Sequence, residues 1–306
     1  MARPPVRKGS SRTTKRPAKR RPRASAKPPL PIAEPEPLRA AATAPTVTPA
    51  VPEGLSPAHG LYVYGVLRTE EALNFGLIGL GVPPSEVWTV LYRGLGAVVS
   101  KGPRGVPDPT RDNLLAHHRV QEAVIHGHTL LPMAFGLTFP GPEDVTELLR
   151  SAHDAFTDVL SRLEGHIELG LKVLWDQDRA ARELEQVDAE LARLAGQPPD
   201  SPARLEYERR LESALRERAQ HEGNSIVETL RPVAAATRVV SPVGERMLLN
   251  AAFLVAREQE AAFDARVKSL AAKHAMLTFQ FTGPWAPYHF ADIRLRLKRE
   301  EPARDR

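Results

Sequence analysis

Apolar positions along this chain fall into distinct kinds of run, and each kind predicts a different element. Unbroken apolar runs bounded by turn residues predict buried strands. One is Leu61–Leu67 (LYVYGVL), while Glu86–Arg93 (EVWTVLYR) and Leu95–Ser100 (LGAVVS), joined by Gly94, read as a β-hairpin. Leu130–Phe139 (LLPMAFGLTF) is another such run, with Pro132 and Gly136 interrupting regular pairing. Apolar residues spaced by three and four predict helices. One runs from Arg111 to His126 with Thr110 as its N-cap, its apolar side made of Leu114, Leu115, His118, Val120, Ala123, Val124 and Ile125. A second spans Glu143–Leu163, with Val145, Leu148, Leu149, Ala152, Phe156, Val159, Leu160 and Leu163 on one face.

Gly165 opens a second unit. Ile167–Trp175 (IELGLKVLW) alternates apolar and polar residues, as a strand with one wet face does. Asp176 or Asp178 can cap the helix that follows, in which Leu184, Val187, Leu191 and Leu194 recur at three and four. Gly196–Pro202 breaks the chain, and a second helix turns Leu205, Leu211 and Leu215 inward with Glu and Arg outward. The two helices predict an antiparallel, coiled-coil-like hairpin over residues 177–230. Ala236–Val240 and Met247–Ala256 are strand candidates, the latter readable equally as helix. Arg257–His274 is a charged amphipathic helix, and Met276–Thr282 (MLTFQFT) an alternating strand. Strand, helical hairpin, strand, strand, helix, strand is the βαββαβ order of a ferredoxin-like sandwich with an enlarged first crossover. The expected fold class is therefore α+β, with an α/β N-terminal domain over residues 58–164 and a modified ferredoxin-like C-terminal domain over 165–306.

Composition changes the picture at the N-terminus. Residues 1–57 hold thirteen of the 29 prolines, among Ala, Lys, Arg, Ser and Thr, too little apolar surface to offset ordering entropy. They predict a disordered, basic, Pro/Ala-rich tail. The chain's net charge of +5 suggests nucleic acid until it is mapped. Residues 1–33 carry eleven Lys/Arg and no acid, which leaves 31 basic against 37 acidic residues for the remainder. A nucleic-acid partner is thus expected only through the tail, and that is the alternative functional reading. Cysteine is absent, so disulfides and thiolate metal sites are excluded. No run of about 18 apolar residues exists to span a bilayer, and no apolar segment follows the basic start as in a secretion signal. A soluble, cytoplasmic protein is expected.

Candidate chemistry is sparse. His118, Glu122 and His126 share one helical face beside His117 and His128, but they lack the spacing of a zinc-hydrolase helix and a fourth ligand. Gly76–Gly81 (GLIGLG) is followed by Pro83 and Pro84 where a phosphate-binding helix would begin, so it reads as a turn. Ser100 and Ser241 end apolar runs outside any nucleophile elbow. Pairs such as Glu143–Asp144 and Glu258–Glu260 sit at helix starts or on wet faces. The strands lack the stacking aromatics of an RNA-binding sheet, since Phe279 and Phe281 fit core packing. No catalytic, cofactor-binding or metal residue is assigned. Gly283–Phe290 (GPWAPYHF) holds rigid aromatics that serve either as a lid on the sheet or as an interface anchor. Trp285, Tyr288 and Phe290, with Leu184, Leu191 and Leu211 of the hairpin, are the partner-binding candidates.

Five segments in order, LYVYGV at 61–66, LLPMAFGLTF at 130–139, GHIELGLKV at 165–173, LNAAFLV at 249–255 and FTGPWAPYHF at 281–290, resemble the gas vesicle protein GvpL/GvpF family. The resemblance spans about residues 60–295. It implies a non-catalytic accessory protein of gas vesicle formation, found in the cytoplasm and at the gas vesicle, that contacts the small hydrophobic shell protein and other accessory proteins. Two positions depart from the pattern. Ala134 stands where an Arg is usual and Ala286 where Pro is common, and the first removes the charge that a binding role of that loop would use.

Overall fold

The computed structural model describes residues 59–292, and the tail expected over residues 1–57 lies outside them. The described chain is α+β, built from helices and antiparallel strands. Its first sheet contains β1 (His59–Arg68), β2 (Asn74–Leu77), β3 (Glu86–Tyr92) and β4 (Leu95–Pro103). They lie in the order β2-β3-β4-β1, with β5 (Leu130–Pro132) and β6 (Thr138–Phe139) both beside β1. The 130–139 run is thus two short strands with a turn between. The β3–β4 hairpin forms where expected, and its two-residue turn holds Arg93 and Gly94 at φ 44° and 78°. Positive φ at both central positions gives the tight turn that matches strand twist. β2 was not expected, because its pairing with β3 is irregular at Gly76 and leaves no alternation to read.

β1 is buried on both faces, which is why its sequence is unbroken rather than alternating. A bulge between Val63 and Gly65 inserts Tyr64 and shifts the facing of the residues beyond it. Leu61, Val63 and Val66 face α2 (Pro142–Ser151) and α3 (His153–Leu163), whereas Tyr62, Tyr64 and Leu67 face α1 (Arg111–Ile125). The single helix expected over Glu143–Leu163 is two. Ala152 leaves helical geometry at φ −116°, ψ 15°, beside Ser151, whose Oγ bonds the Leu148 carbonyl. The break lets both halves of the apolar stripe lie against one sheet face. α1 is also rotated from its expected face. His117 and Gln121 are buried, while Leu114, Leu115 and His118 are exposed. Thr110 caps it as expected, its Oγ1 accepting from the Asn113 N–H at 3.3 Å.

The second sheet is β10-β7-β9-β8, all neighbours antiparallel: β7 (His166–Trp175), β8 (Ala236–Val240), β9 (Met247–Ala256) and β10 (Leu277–Trp285). That is the strand order a βαββαβ sandwich requires. Met247–Ala256 is strand, and β10 continues three residues beyond the predicted end to include Gly283, Pro284 and Trp285. The helices α4 (Gln177–Val187), α5 (Ala189–Ala195), α6 (Pro202–Leu230) and α7 (Glu260–Lys273) make up the rest. Leu215, Ile226 and Leu230 of α6 and Phe263, Val267 and Leu270 of α7 cover one face of the sheet.

The hairpin forms with its first arm broken. Asp188 takes an extended conformation (φ −108°, ψ 103°) and its Oδ1 accepts from the Glu190 and Leu191 N–H groups. This second N-cap stops the repeat from running through, so Val187, expected inward, is 82% exposed. Asp176, not Asp178, caps α4, its Oδ1 accepting from Arg179 N–H. Leu205 is also outward, at 70% exposure, because Tyr207 takes the inward position on that turn of α6.

Candidate functional site

The Gly283–Phe290 segment is neither a free loop nor a cover on its own sheet. It leaves β10 as a strap and docks on the first sheet and α1. Gly283 is the pivot, since its φ of +119° lies where side chains are strained and a Cβ there would stand 2.9 Å from the Glu168 carbonyl oxygen. Ala286 is then buried in the core between α1 and β1. Phe290 packs at the core on the other face of the first sheet. One short segment therefore reaches both faces.

A buried polar network receives it. His117 Nδ1 lies 2.8 Å from Tyr62 Oη, and His117 Nε2 lies 2.9 Å from Tyr288 Oη. Tyr288 Oη donates to Gln121 Oε1 at 2.7 Å and also stands 3.1 Å from the Met133 carbonyl. The Gln121 amide donates to the Tyr64 carbonyl at 2.8 Å and approaches His117 Nε2 at 2.9 Å. Tyr62 Oη accepts from Gly136 N–H, and Tyr64 Oη bonds Ser100 Oγ and accepts from Leu80 N–H. Either neutral tautomer of His117 keeps both ring nitrogens hydrogen-bonded. Burial, reinforced by the neighbouring His118, lowers the His117 pKa to about 4, so the ring is neutral near pH 7. Burial likewise pushes the Tyr64 and Tyr288 hydroxyls up to about 12 and raises Tyr62 further.

A second anchor follows at once. Glu168 lies on the face of β7 expected to be wet, yet it is 4% exposed. Its carboxylate accepts from His289 N–H at 2.9 Å and from the His289 ring Nδ1–H at 2.7 Å. The strap supplies the polar partners that such a buried carboxylate needs. Beyond it, Arg238 of β8 pairs with Asp292.

The predicted site residues divide into two groups. Trp285 is 39% exposed and Tyr288 36%, both beside His118 on α1, with ring centroids 5.9 Å and 6.5 Å from its imidazole. Tyr288 shows a ring flank to solvent while its hydroxyl is held inside. A groove of about 500 Å³ runs beside it, lined by Met133, Ala134, Phe135, Leu137 and Ala291. Leu191, by contrast, is 1% exposed and packs with Leu194 and Tyr207 in a small core inside the hairpin. Leu184 and Leu211 are half-buried between that core and the one under the sheet.

The sequence reading missed Tyr62, Tyr64, Gln121 and Glu168. The one available signal was His117 and Gln121 at i and i+4, two polar residues able to share a buried helix face. The other histidines do not converge. His126 Nδ1 bonds its own helix at the Glu122 carbonyl, and His128 lies against Phe75. Among the described residues no three His, Asp or Glu side chains form a metal-binding group, and no buried side-chain nitrogen or oxygen lacks a partner. The arrangement holds the strap in place and presents Trp285 and the groove at its surface.

Residues 60–292 match the family model described as gas vesicle synthesis protein GvpL/GvpF. Gas vesicle protein F2 of Halobacterium salinarum is 33% identical over 244 residues, covering 79% of this chain and 95% of that protein. Gas vesicle protein L of a Streptomyces species is 30% identical over 252 residues, covering 76% and 92%. The crystal structure of gas vesicle protein GvpF from Anabaena sp. PCC7120 superposes with a TM-score of 0.69 at 26% identity, covering 78% of this chain and all of that one.

Proposed function

Because the chain belongs to the gas vesicle synthesis protein GvpL/GvpF family, we propose that it is a non-catalytic accessory protein of gas vesicle formation that binds the small hydrophobic shell protein. The observation that carries this reading is the family match over the described residues, joined to a site that presents aromatic surface at Trp285 and Tyr288. A subunit destined for a gas-facing wall exposes apolar surface before assembly and needs a partner to cover it. The strap answers that need with Trp285, 39% exposed beside His118 of α1, on a segment whose anchors at Tyr288 and His289 lower the entropy cost of presenting it. Other accessory proteins are further partners, and the protein works in the cytoplasm and at the growing vesicle.

Within this reading the chain divides into an N-terminal α/β domain over residues 58–164 and a ferredoxin-like domain over 165–306. Trp285 and Tyr288 belong to the binding face, and Phe290, packed at the core on the other face of the first sheet, helps to hold the strap that carries them. The hairpin leucines Leu184, Leu191 and Leu211 act by holding the hairpin's shape, so its partner-facing part is the outer surface. Co-purification with the shell protein tests the assignment. Capture is expected for the full chain and should weaken on Trp285→Ala or on replacement of the hairpin by a short loop. Undiminished capture by both variants would remove these surfaces from the interface.

A further inference from the structure

The sheet edges of the described residues are guarded very unequally. β2 is four residues long and irregular at Gly76. β5 and β6 have three and two residues, and β5 ends in Pro132. β8 has five residues, carries Arg238 and is followed by Ser241 and Pro242. Shortness, bulges, charge and proline are the devices that stop another strand from pairing with an edge. β10 has none of them over its first six residues, LTFQFT, which are uncharged and rich in strand-forming side chains.

Its pairing shows which backbone groups stand free. At one end of β7 the Trp175 N–H donates to the Arg246 carbonyl, and at the other the Gly165 carbonyl accepts from Arg257 N–H, both at 3.0 Å and both toward β9. Odd-numbered residues of β7 therefore bond toward β9 and even-numbered ones toward β10. Leu174, Lys172 and Gly170 lie opposite Thr278, Gln280 and Thr282, so those three β10 residues bond β7. Phe279 and Phe281 turn their N–H and C=O groups outward, and no described strand pairs with them there. Their rings are half-buried on the α7 side, Phe281 stacked on Phe263 with centroids 6.0 Å apart, which leaves apolar flanks at the edge.

We infer that the β10 edge binds an extended, apolar-faced strand of the shell subunit through backbone hydrogen bonds at Phe279 and Phe281, an inference that rests on the partner proposed above. The edge favours that occupant because it offers no charge to select a polar strand, and its Phe flanks gain most from an apolar cover. It is also continuous along the chain with the proposed face, since β10 ends at the exposed Trp285. Strand addition supplies affinity from the backbone and selectivity from alternate side chains.

The test places lysines on the edge at two exposed positions, Thr278→Lys with Gln280→Lys, in the full chain co-expressed with the shell protein. The wild type is expected to capture the shell protein and the double variant to capture it about tenfold less or weaker still. The variant should keep wild-type circular dichroism and unfolding midpoint. Hydrogen exchange gives the second readout. The Phe279 and Phe281 amides should slow on binding, while those of Thr278 and Gln280, already bonded to β7, should not change. Equal capture by both proteins, or no new protection at Phe279 and Phe281, overturns the edge assignment and leaves the proposed partner standing. Failure of the wild type to capture the shell protein overturns both. If the lysines instead convert a wild-type dimer to monomer with capture unchanged, the edge pairs two copies of this chain and the inference is wrong.

Discussion

The strap and the helical hairpin are both aromatic- or leucine-bearing excursions from the second sheet, and they are held by opposite means. The strap has almost no structure of its own. It is fixed by groups brought from far along the chain, Tyr288 by His117 and Gln121 at separations of 171 and 167 positions, His289 by Glu168 at 121. The hairpin carries its own core of Leu191, Leu194 and Tyr207, and its surface is laced with pairs such as Arg193–Glu190 and Arg210–Glu206 only three or four residues apart. Damage to the strap should therefore reach the whole fold, whereas damage to the hairpin should stay within it.

The sharpest test of that contrast is Tyr288→Ala. It removes a ring packed beside α1 and leaves His117, Gln121 and the Met133 carbonyl without their shared partner. A loss of about 3–4 kcal/mol in global stability is expected, read from urea denaturation. Protection should fall in the first sheet as well as in β10. A loss confined to residues 283–292 would show the strap to be an appendage and break the comparison.

Acid probes the same network without mutation. The folded His117 titrates near 4 and the unfolded one near 6.5. Above pH 6.5 both states are neutral there and the stabilisation is complete. As pH falls from 6.5 to 4 only the unfolded state gains the proton, so stability drops by about 3 kcal/mol over that window from this group. The tyrosine hydroxyls titrate far above it and do not contribute. Unfolding free energies measured at pH 7 and pH 4.5 should differ less in His117→Asn than in wild type, and equal pH dependence in the two would take His117 out of the account.

Leu191→Ala addresses the hairpin. Its side chain is fully buried, and its loss should cost about 2–3 kcal/mol, but locally. Exchange should accelerate in α5 and the first half of α6 while β7 and β9 keep their protection. Uniform acceleration would mean that the hairpin is as tightly coupled to the body as the strap.

What the sequence disclosed follows the same division. The β1 run, the Thr110 cap, the β3–β4 turn and the hairpin were readable because their causes are a few residues apart. The second sheet's strand order followed from the succession of periods. Rotation of α1 was not readable, because periodicity counts His117 and Gln121 as ordinary polar positions, whereas they are buried by bonding Tyr62, Tyr288 and the Tyr64 carbonyl. Glu168 was assigned to solvent for the same reason, its partner lying 121 positions away. The aromatic composition of GPWAPYHF marked the strap as unusual, but its destination depends on the tertiary fold. Leu191 shows the reverse case. Its apolar helical spacing fits a contact surface and an internal core equally, and the hairpin buries it in its own core.

The smallest effect expected is also the most specific to the hairpin's surface. Arg216 and Glu212 pair at i,i+4 on α6 with side chains 61% and 72% exposed. Such a pair gains little Coulomb energy in water and loses side-chain entropy to hold its geometry, so Arg216→Ala should change stability by less than about 0.5 kcal/mol. The same substitution removes one positive charge from the outer face proposed to meet a partner. If that face works through charge, capture of the shell protein should weaken at low salt and recover toward wild-type behaviour as salt screens the loss. If it works through shape and apolar contact, Arg216→Ala should leave capture unchanged at every ionic strength. The stability measurement separates the two from a folding defect, because a shift larger than that of an exposed pair would mean that the hairpin's outer charges are part of what holds it together.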